Sequence, residues 1–143
     1  MGDNSVVVTR HKDYFTRSEN REYAGKHILI DIWQAQHLDD QQLLERTLKN
    51  AVVAAEATLL HLHIHRFTST GGLSGAAILS ESHINAHTWP ERAFATFDAF
   101  MCGSAKPEKV EAVIKQAYQP KKLTVEWRYR GEVKDCKDNV GLN

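Results

Sequence analysis

The stretch Leu73–Cys102, LSGAAILSESHINAHTWPERAFATFDAFMC, decides the fold. Three short strand-like runs lie inside it, Leu73 to Ser80, His83 to Trp89 and Phe94 to Cys102, with only a few residues between them. Connections this short join antiparallel neighbours, because a parallel crossover needs a dozen residues or more. The same thirty positions hold Ser82 directly after Glu81, His83 and His87, Trp89, and Cys102. So much polar chemistry inside strand sequence marks a candidate active site.

Working outward, Lys26 to Trp33 puts Ile28, Ile30 and Ile32 on one face with the two-residue period of a strand. A helix is expected from Asp39 or Asp40, where an aspartate can cap the first free amides, and Leu44, Leu48, Ala51, Val52 and Ala55 form its apolar stripe. Thr58 to Phe67 alternates again, with Leu60, Leu62 and Ile64 against His61, His63, His65 and Phe67, and Ser69 to Gly72 turns the chain. Pro107 opens a second helix bearing Val110, Val113, Ile114 and Ala117, and Leu123 to Tyr129 is the last strand. The expected architecture is an α+β two-layer sandwich, a mainly antiparallel sheet with two helices on one face. A single domain spans residues 1–143, and residues 1–24, with only the short Val6-Val7-Val8 run, and 131–143 are expected to be loosely ordered extensions.

Composition narrows the class of function. Eighteen basic residues balance eighteen acidic ones, so no net field draws the chain to nucleic acid or to an anionic membrane. No apolar run approaches the roughly 20 residues a bilayer requires, and the N-terminus lacks the apolar centre of a signal peptide. The expectation is a cytoplasmic protein acting on a small molecule. Cys102 and Cys136 stand in unlike contexts and are not expected to pair in a reducing compartment.

If Leu60, Ile64, Ile84, Ala86, Phe97 and Met101 face the helices, alternation sends Phe67, His83, His87, Trp89, Phe94, Phe100 and Cys102 to the opposite face. A face this aromatic on a small domain calls for a partner. The expected partner is a second copy, the sheets packing face to face in a homodimer with the site near the interface.

Four blocks in order, Ser74-Gly75, Ser80-Glu81-Ser82-His83, His87-Thr88-Trp89-Pro90-Glu91 and Phe100-Met101-Cys102-Gly103, resemble the bacterial S-adenosylmethionine decarboxylase proenzymes, a pyruvoyl-dependent family. The resemblance covers roughly residues 25–130 and keeps the family's spacing between blocks. It implies a zymogen that cuts its own backbone between Glu81 and Ser82 into a β chain, 1–81, and an α chain, 82–143. Ser82 would become the covalent pyruvoyl group. The implied activity makes decarboxylated S-adenosylmethionine, the aminopropyl donor of spermidine and polyamine biosynthesis.

The chemistry needs these residue types. Attack of Ser82 Oγ on the Glu81 carbonyl converts an amide to an ester and is uphill unless the developing oxyanion is held; Ser74 matches the family's donor. A base then takes the Ser82 α-proton so that β-elimination releases the upstream chain, and His87 matches the family's processing histidine. The resulting ketone forms a Schiff base with substrate and serves as an electron sink. Cys102 matches the proton donor that acts after carbon dioxide leaves. For the adenosine and sulfonium of S-adenosylmethionine, the resemblance offers Phe67 and Trp89 as aromatic faces and Glu91 as acceptor for the ribose hydroxyls.

Taken singly, each residue has a plainer reading: Ser82 as turn chemistry, Cys102 as a small buried hydrophobe, Ser74 as a strand serine, Glu91 as a solvated acid, Phe67 and Trp89 as filler of a dimer core. The ordered blocks lift Ser82, Ser74, Cys102 and Glu91 above it, while Phe67 and Trp89 stay open between the two readings. His61, His63 and His65 could invite a metal, but same-face neighbours on a strand stand about 7 Å apart and no carboxylate or cysteine completes the set, so no metal is expected. Two departures bear on substrate: GSAKPEK after Cys102 lacks the acidic residues of many relatives, and the turn from Thr68 to Gly72 is of a kind that varies. The alternatives are a pyruvoyl-dependent decarboxylase of free arginine or ornithine, and an uncleaved non-catalytic relative.

Overall fold

The computed structural model describes residues 15–18 and 20–133. Six strands form one antiparallel sheet in the order β4-β5-β6-β7-β3-β8, where β3 is Gly25–Trp33, β4 Leu59–Arg66, β5 Leu73–Leu79, β6 Ser82–Trp89, β7 Phe94–Met101 and β8 Lys122–Arg130. Helices α1, Gln41–Ala54, and α2, Val110–Tyr118, carry the apolar stripes that cover one face. The α+β sandwich expected from the alternation is what the chain forms. Among the described residues no helix is long and apolar enough to cross a membrane.

Local chemistry explains where the elements begin and end. The Asp40 side chain accepts from the Leu43 N–H at 2.9 Å and so caps α1. Pro107 sits in a single 3-10 turn, Pro107–Lys109, ahead of α2. The core lies between sheet and helices: Ile28, Ile30, Ile32, Ile84, Ala86, Phe97 and Met101 from the strands meet Leu44, Leu48, Val52, Val110, Ile114 and Tyr118, all buried. At Gly75 a Cβ would come within 3.1 Å of Leu48, so glycine lets α1 lie close on β5.

Two readings need correction. Leu60 does not face the helices; it is 63% exposed, because the pairing of β4 with β5 slips between Leu59 and His61. Such a bulge inserts an unpaired residue and breaks the period-two pattern locally. Within the stretch 1–24, β1, Thr16–Ser18, pairs antiparallel with β2, Arg21–Tyr23. Tyr23 is buried with its ring edge on Tyr129, the Arg21 guanidinium lies 4.0 Å over that same Tyr129 ring, and the Val133 N–H donates to the Glu22 carbonyl. Strands of three residues carry no readable period, so only this docking onto β8 reveals them. Val6-Val7-Val8 and Cys136 lie outside the described residues, as do the rest of 1–14 and 134–143.

Tyr118 carries an energetic peculiarity. Among the described residues its buried hydroxyl makes no hydrogen bond, the Thr47 hydroxyl being given to the Leu43 carbonyl, and burial pushes the phenol up to about 12. A folded-state value above the unfolded one stabilises fully below about pH 10, and that contribution is lost as pH rises toward the folded value. Between those limits the wild type should lose on the order of 2 kcal/mol that Tyr118→Phe does not lose. Thermal melts of both proteins across alkaline pH check this, and parallel curves would refute it.

Candidate active site

Strand register sets the geography of the uncovered face. Across β5, β6, β7 and β3, one row is Ser74–His87–Thr96–Asp31 and another is Ile78–His83–Phe100–His27. Between those two rows lies Ala76–Asn85–Asp98–Leu29. Trp89, Phe94 and Trp33 form a further row at one end, their rings 5.4 and 5.2 Å apart in succession. The open face therefore carries the histidines and aromatics that alternation assigned to it.

At the other end β5 and β6 are joined by only Ser80 and Glu81, with Leu79 paired to Ser82. Two-residue hairpin loops favour turns with positive φ at their central residues, normally supplied by glycine or asparagine. Neither Ser80 nor Glu81 has a positive φ, and the misfit emerges one residue later, at Ser82, with φ of +150°. An L-residue rarely adopts that backbone, and such strain persists only when its surroundings hold it. The Glu81 carbonyl accepts from the Cys102 N–H at 3.0 Å. The bond between Glu81 and Ser82 thus joins a polarised carbonyl to a strained serine. A nucleophile adding to that carbonyl would develop its oxyanion facing a donor already in place. The Cys102 thiol is free and half-buried one residue beyond β7.

Ser74 Oγ and His87 Nδ1 are 2.9 Å apart across β5 and β6. The His87 ring also lies 6.4 Å from Trp89, which is 38% exposed. Phe67, 48% exposed, packs edge-on against His65, and Glu91 follows in the 3-10 turn Pro90–Arg92. The predicted residues therefore fall into two groups. Glu81, Ser82 and Cys102 meet at one end of β6, while Ser74, His87, Trp89 and Glu91 gather toward the other, with Phe67 at the matching end of β4. Five residues of strand separate Ser82 from His87, about 16 Å at about 3.3 Å per residue. Ser74 is likewise far from the Glu81 carbonyl, and the donor that reaches this oxygen is the backbone of Cys102, which side-chain reasoning had no means of finding.

Between the two groups lies a cluster that the sequence reading did not assemble. Asp98 Oδ2 is 2.8 Å from His27 Nε2 and 3.0 Å from His83 Nε2, and Arg130 Nη1 is 3.0 Å from His27 Nδ1. Arginine can only donate, so the network assigns the His27 proton to Nε2, where it points at Asp98. Phe100 packs against both imidazoles at 5.5 and 5.9 Å. Among the described residues, His27, His83 and Asp98 are also a histidine–carboxylate set whose ligand atoms lie within 4.8 Å of one another, whereas His61, His63 and His65 stand exposed along β4. The sequence reading passed over His27, although the parity opposite Ile28, Ile30 and Ile32 was the signal that could have put it on the His83 face; its partner Asp98, 71 residues away, required the sheet order.

Comparison with known proteins adds an independent finding. Residues 26–131 match the family model described as S-adenosylmethionine decarboxylase. The chain is 45% identical over 114 residues to the S-adenosylmethionine decarboxylase proenzyme of Methanococcus maripaludis strain S2, covering 78% of this chain and 93% of that protein. It is 38% identical over 112 residues to the proenzyme of the same name from Thermomicrobium roseum, covering 78% and 97%. The crystal structure of the adenosylmethionine decarboxylase from Aquifex aeolicus VF5 superposes with a TM-score of 0.69 at 31% identity, covering 79% of this chain and 95% of that one.

The position of His87 depends on its buried neighbour. Thr88 Oγ1 accepts from the Leu73 N–H at 2.9 Å and donates to the Leu38 carbonyl at 2.7 Å, tying β6 to β5 and to the loop before α1. Thr88→Val keeps the shape but leaves both backbone groups unpaired in the core, which should cost about 2–4 kcal/mol in urea denaturation. A change within about 0.5 kcal/mol, the level of an ordinary surface substitution, would show that these bonds do not hold this end of the site.

Proposed function

Because the chain belongs to the S-adenosylmethionine decarboxylase family, we propose that it is a proenzyme that cuts itself between Glu81 and Ser82 and then decarboxylates S-adenosylmethionine. The observation that carries this is the strained Ser82 joined to a Glu81 carbonyl already accepting a hydrogen bond, in a chain that matches the family from residue 26 to 131. The product would be the aminopropyl donor for spermidine, made in the cytoplasm.

In the proposed processing, Ser82 Oγ bonds to the Glu81 carbonyl carbon, the carbon–nitrogen bond to Ser82 breaks, and the hydroxyl proton passes to the freed amine. The Cys102 N–H stabilises the oxyanion on the way, taking the part that the resemblance gave to Ser74. A histidine then removes the Ser82 α-proton, the Cβ–Oγ bond breaks, and Glu81 departs as a carboxylate at the end of the 1–81 chain. Hydrolysis of the remaining dehydroalanine releases ammonia and leaves the pyruvoyl group at the head of the 82–143 chain. That group supplies the electron sink for loss of carbon dioxide. The Cys102 thiol, one residue past the end of β7, would return a proton to the substrate carbon. Phe67 and Trp89 offer aromatic surface to adenine and sulfonium, and Glu91 offers oxygen acceptors to the ribose.

About 16 Å separates Ser82 from the Ser74–His87 pair of the same chain, too far for direct proton transfer. This distance supports a homodimer in which the open faces pack together. A two-fold relation that reverses β6 brings the Ser82 end of one protomer over the Ser74, His87, Trp89 and Glu91 end of its partner. Each site would then be built from both chains.

Intact-mass measurement of purified protein should give two fragments divided before Ser82, the second carrying the pyruvoyl group, while Ser82→Ala stays whole. A single full-length mass for the wild type would sink self-processing and favour the uncleaved relative. Carbon dioxide release should follow addition of S-adenosylmethionine; release from arginine or ornithine in its place would transfer the assignment to an amino-acid decarboxylase.

The shared site has its own test. His87→Ala alone should remain uncut, yet co-expressed with Ser82→Ala it should be cleaved, because the mixed dimer holds one site with both Ser82 and His87 intact. No cleavage of the His87→Ala chain in isolated mixed dimers would place both residues' action within one protomer.

A further inference from the structure

We infer that Thr58 is a positioning residue for self-cleavage, clamping Glu81 so that the strain at Ser82 cannot relax; the inference rests on the self-processing reading above. Thr58 stands just before β4 and makes three hydrogen bonds to the two-residue loop. Its N–H donates to Glu81 Oε2 at 3.0 Å, its hydroxyl donates to Glu81 Oε1 at 3.2 Å, and its carbonyl accepts from the Ser80 N–H at 3.0 Å. Two of these end on a carboxylate and are charge-assisted.

The clamp is tied to a rigid element. Ala57 N–H donates to the Val52 carbonyl in the last turn of α1, so Thr58 follows directly on a residue tied to the helix end. Cys102 is held from the same place. The loop after it returns to α1 through the Lys106 N–H donating to the Ala55 carbonyl at 2.8 Å and through the ion pair of Lys106 with Glu56. The Lys106 ammonium holds the Glu56 carboxyl below its ordinary value. Glu81 is thus gripped on both sides from one helix end, its side chain by Thr58 and its carbonyl by the Cys102 N–H.

A free two-residue loop with no glycine would relieve its misfit by rotating about Glu81. Rotation would withdraw the carbonyl from the Cys102 N–H and let Ser82 return to an ordinary strand conformation. Thr58 opposes that rotation at the carboxylate, the end of Glu81 farthest from the scissile bond. Among the described residues its hydrogen bonds end on the Glu81 carboxylate and the Ser80 N–H, not on the reacting atoms or on the groups proposed to bind substrate. Its influence ends when the bond is cut.

That last point separates positioning from general support. Thr58→Val removes the hydroxyl at constant shape, and Thr58→Ser restores it. Cleavage is followed by mass after synthesis, carbon dioxide release is measured per pyruvoyl group on the cleaved fraction, and melting is recorded for the uncut chain on a Ser82→Ala background. The expectation is that Thr58→Val slows cleavage roughly tenfold, the rate equivalent of one charge-assisted hydrogen bond, with turnover per pyruvoyl unchanged and Thr58→Ser close to wild type. Glu81→Ala, which removes both carboxylate acceptors, should slow cleavage at least as much. Wild-type cleavage rates in both Thr58→Val and Glu81→Ala would overturn the clamp. So would a parallel fall in cleavage, turnover and melting temperature, which marks a merely structural threonine. A wild-type chain that never cuts fails differently, since it removes self-processing itself and the clamp with it.

Discussion

The two-residue connection Ser80-Glu81 between β5 and β6 is the constraint on which the rest of the structure depends. A hairpin loop of that length fixes register, and a slip of one residue would turn every side chain of β6 to the other face. With Leu79 opposite Ser82, the pairs Ala77–Ile84 and Gly75–Ala86 fall toward the helices, and Ser74–His87 and Ile78–His83 fall on the open face. The same loop lacks glycine or asparagine, so its fit to the twisted strands is poor, and the misfit is concentrated at the residue that follows. One local choice thereby orders the core and strains the backbone at one serine.

Such strain has to be held by something other than the turn. The surroundings supply it through the C-terminal end of α1, which reaches Glu81 from two directions, by way of Thr58 and by way of the loop following Cys102. The helix does more here than cover the core. Gly75 belongs to the same packing, since it lets Leu44 and Leu48 of α1 lie close on β5. Fold and candidate chemistry are coupled through packing rather than through sequence proximity.

What the sequence made legible follows from what is local. Periods of two and of 3.6 residues are carried by near neighbours, so β3, both helices and the sidedness of Ile28, Ile84 and Phe97 could be read directly. The bulge at Leu60 could not, because a bulge is a relation between two strands. Strand order was equally hidden: β3 lies between β7 and β8, and only that order brings His27 and Asp98 together. In the site, Ser82, Ser74, His87 and Cys102 were nameable because residue type and spacing within the ordered blocks mark them. The Cys102 N–H and the Thr58 clamp were not, since a backbone donor and a threonine before a strand carry no compositional signal. Nor does spacing reveal that Ser82 and His87, five positions apart, are separated by about 16 Å once the segment is extended.

The polar cluster at the middle of the open face bears on how that face could be covered. A carboxylate placed at a sheet interface is costly unless its hydrogen bonds are made within its own chain. Asp98 has two imidazole partners, and His27 takes its second bond from Arg130, so the charges are matched before any partner arrives. Phe100 lies against both rings and leaves apolar surface beside them. A second copy could therefore pack over this region without stranding a charge, and in doing so would carry its own His87 end toward the Ser82 end of the first. The internal pairing of Asp98 would make the proposed shared site compatible with a desolvated face.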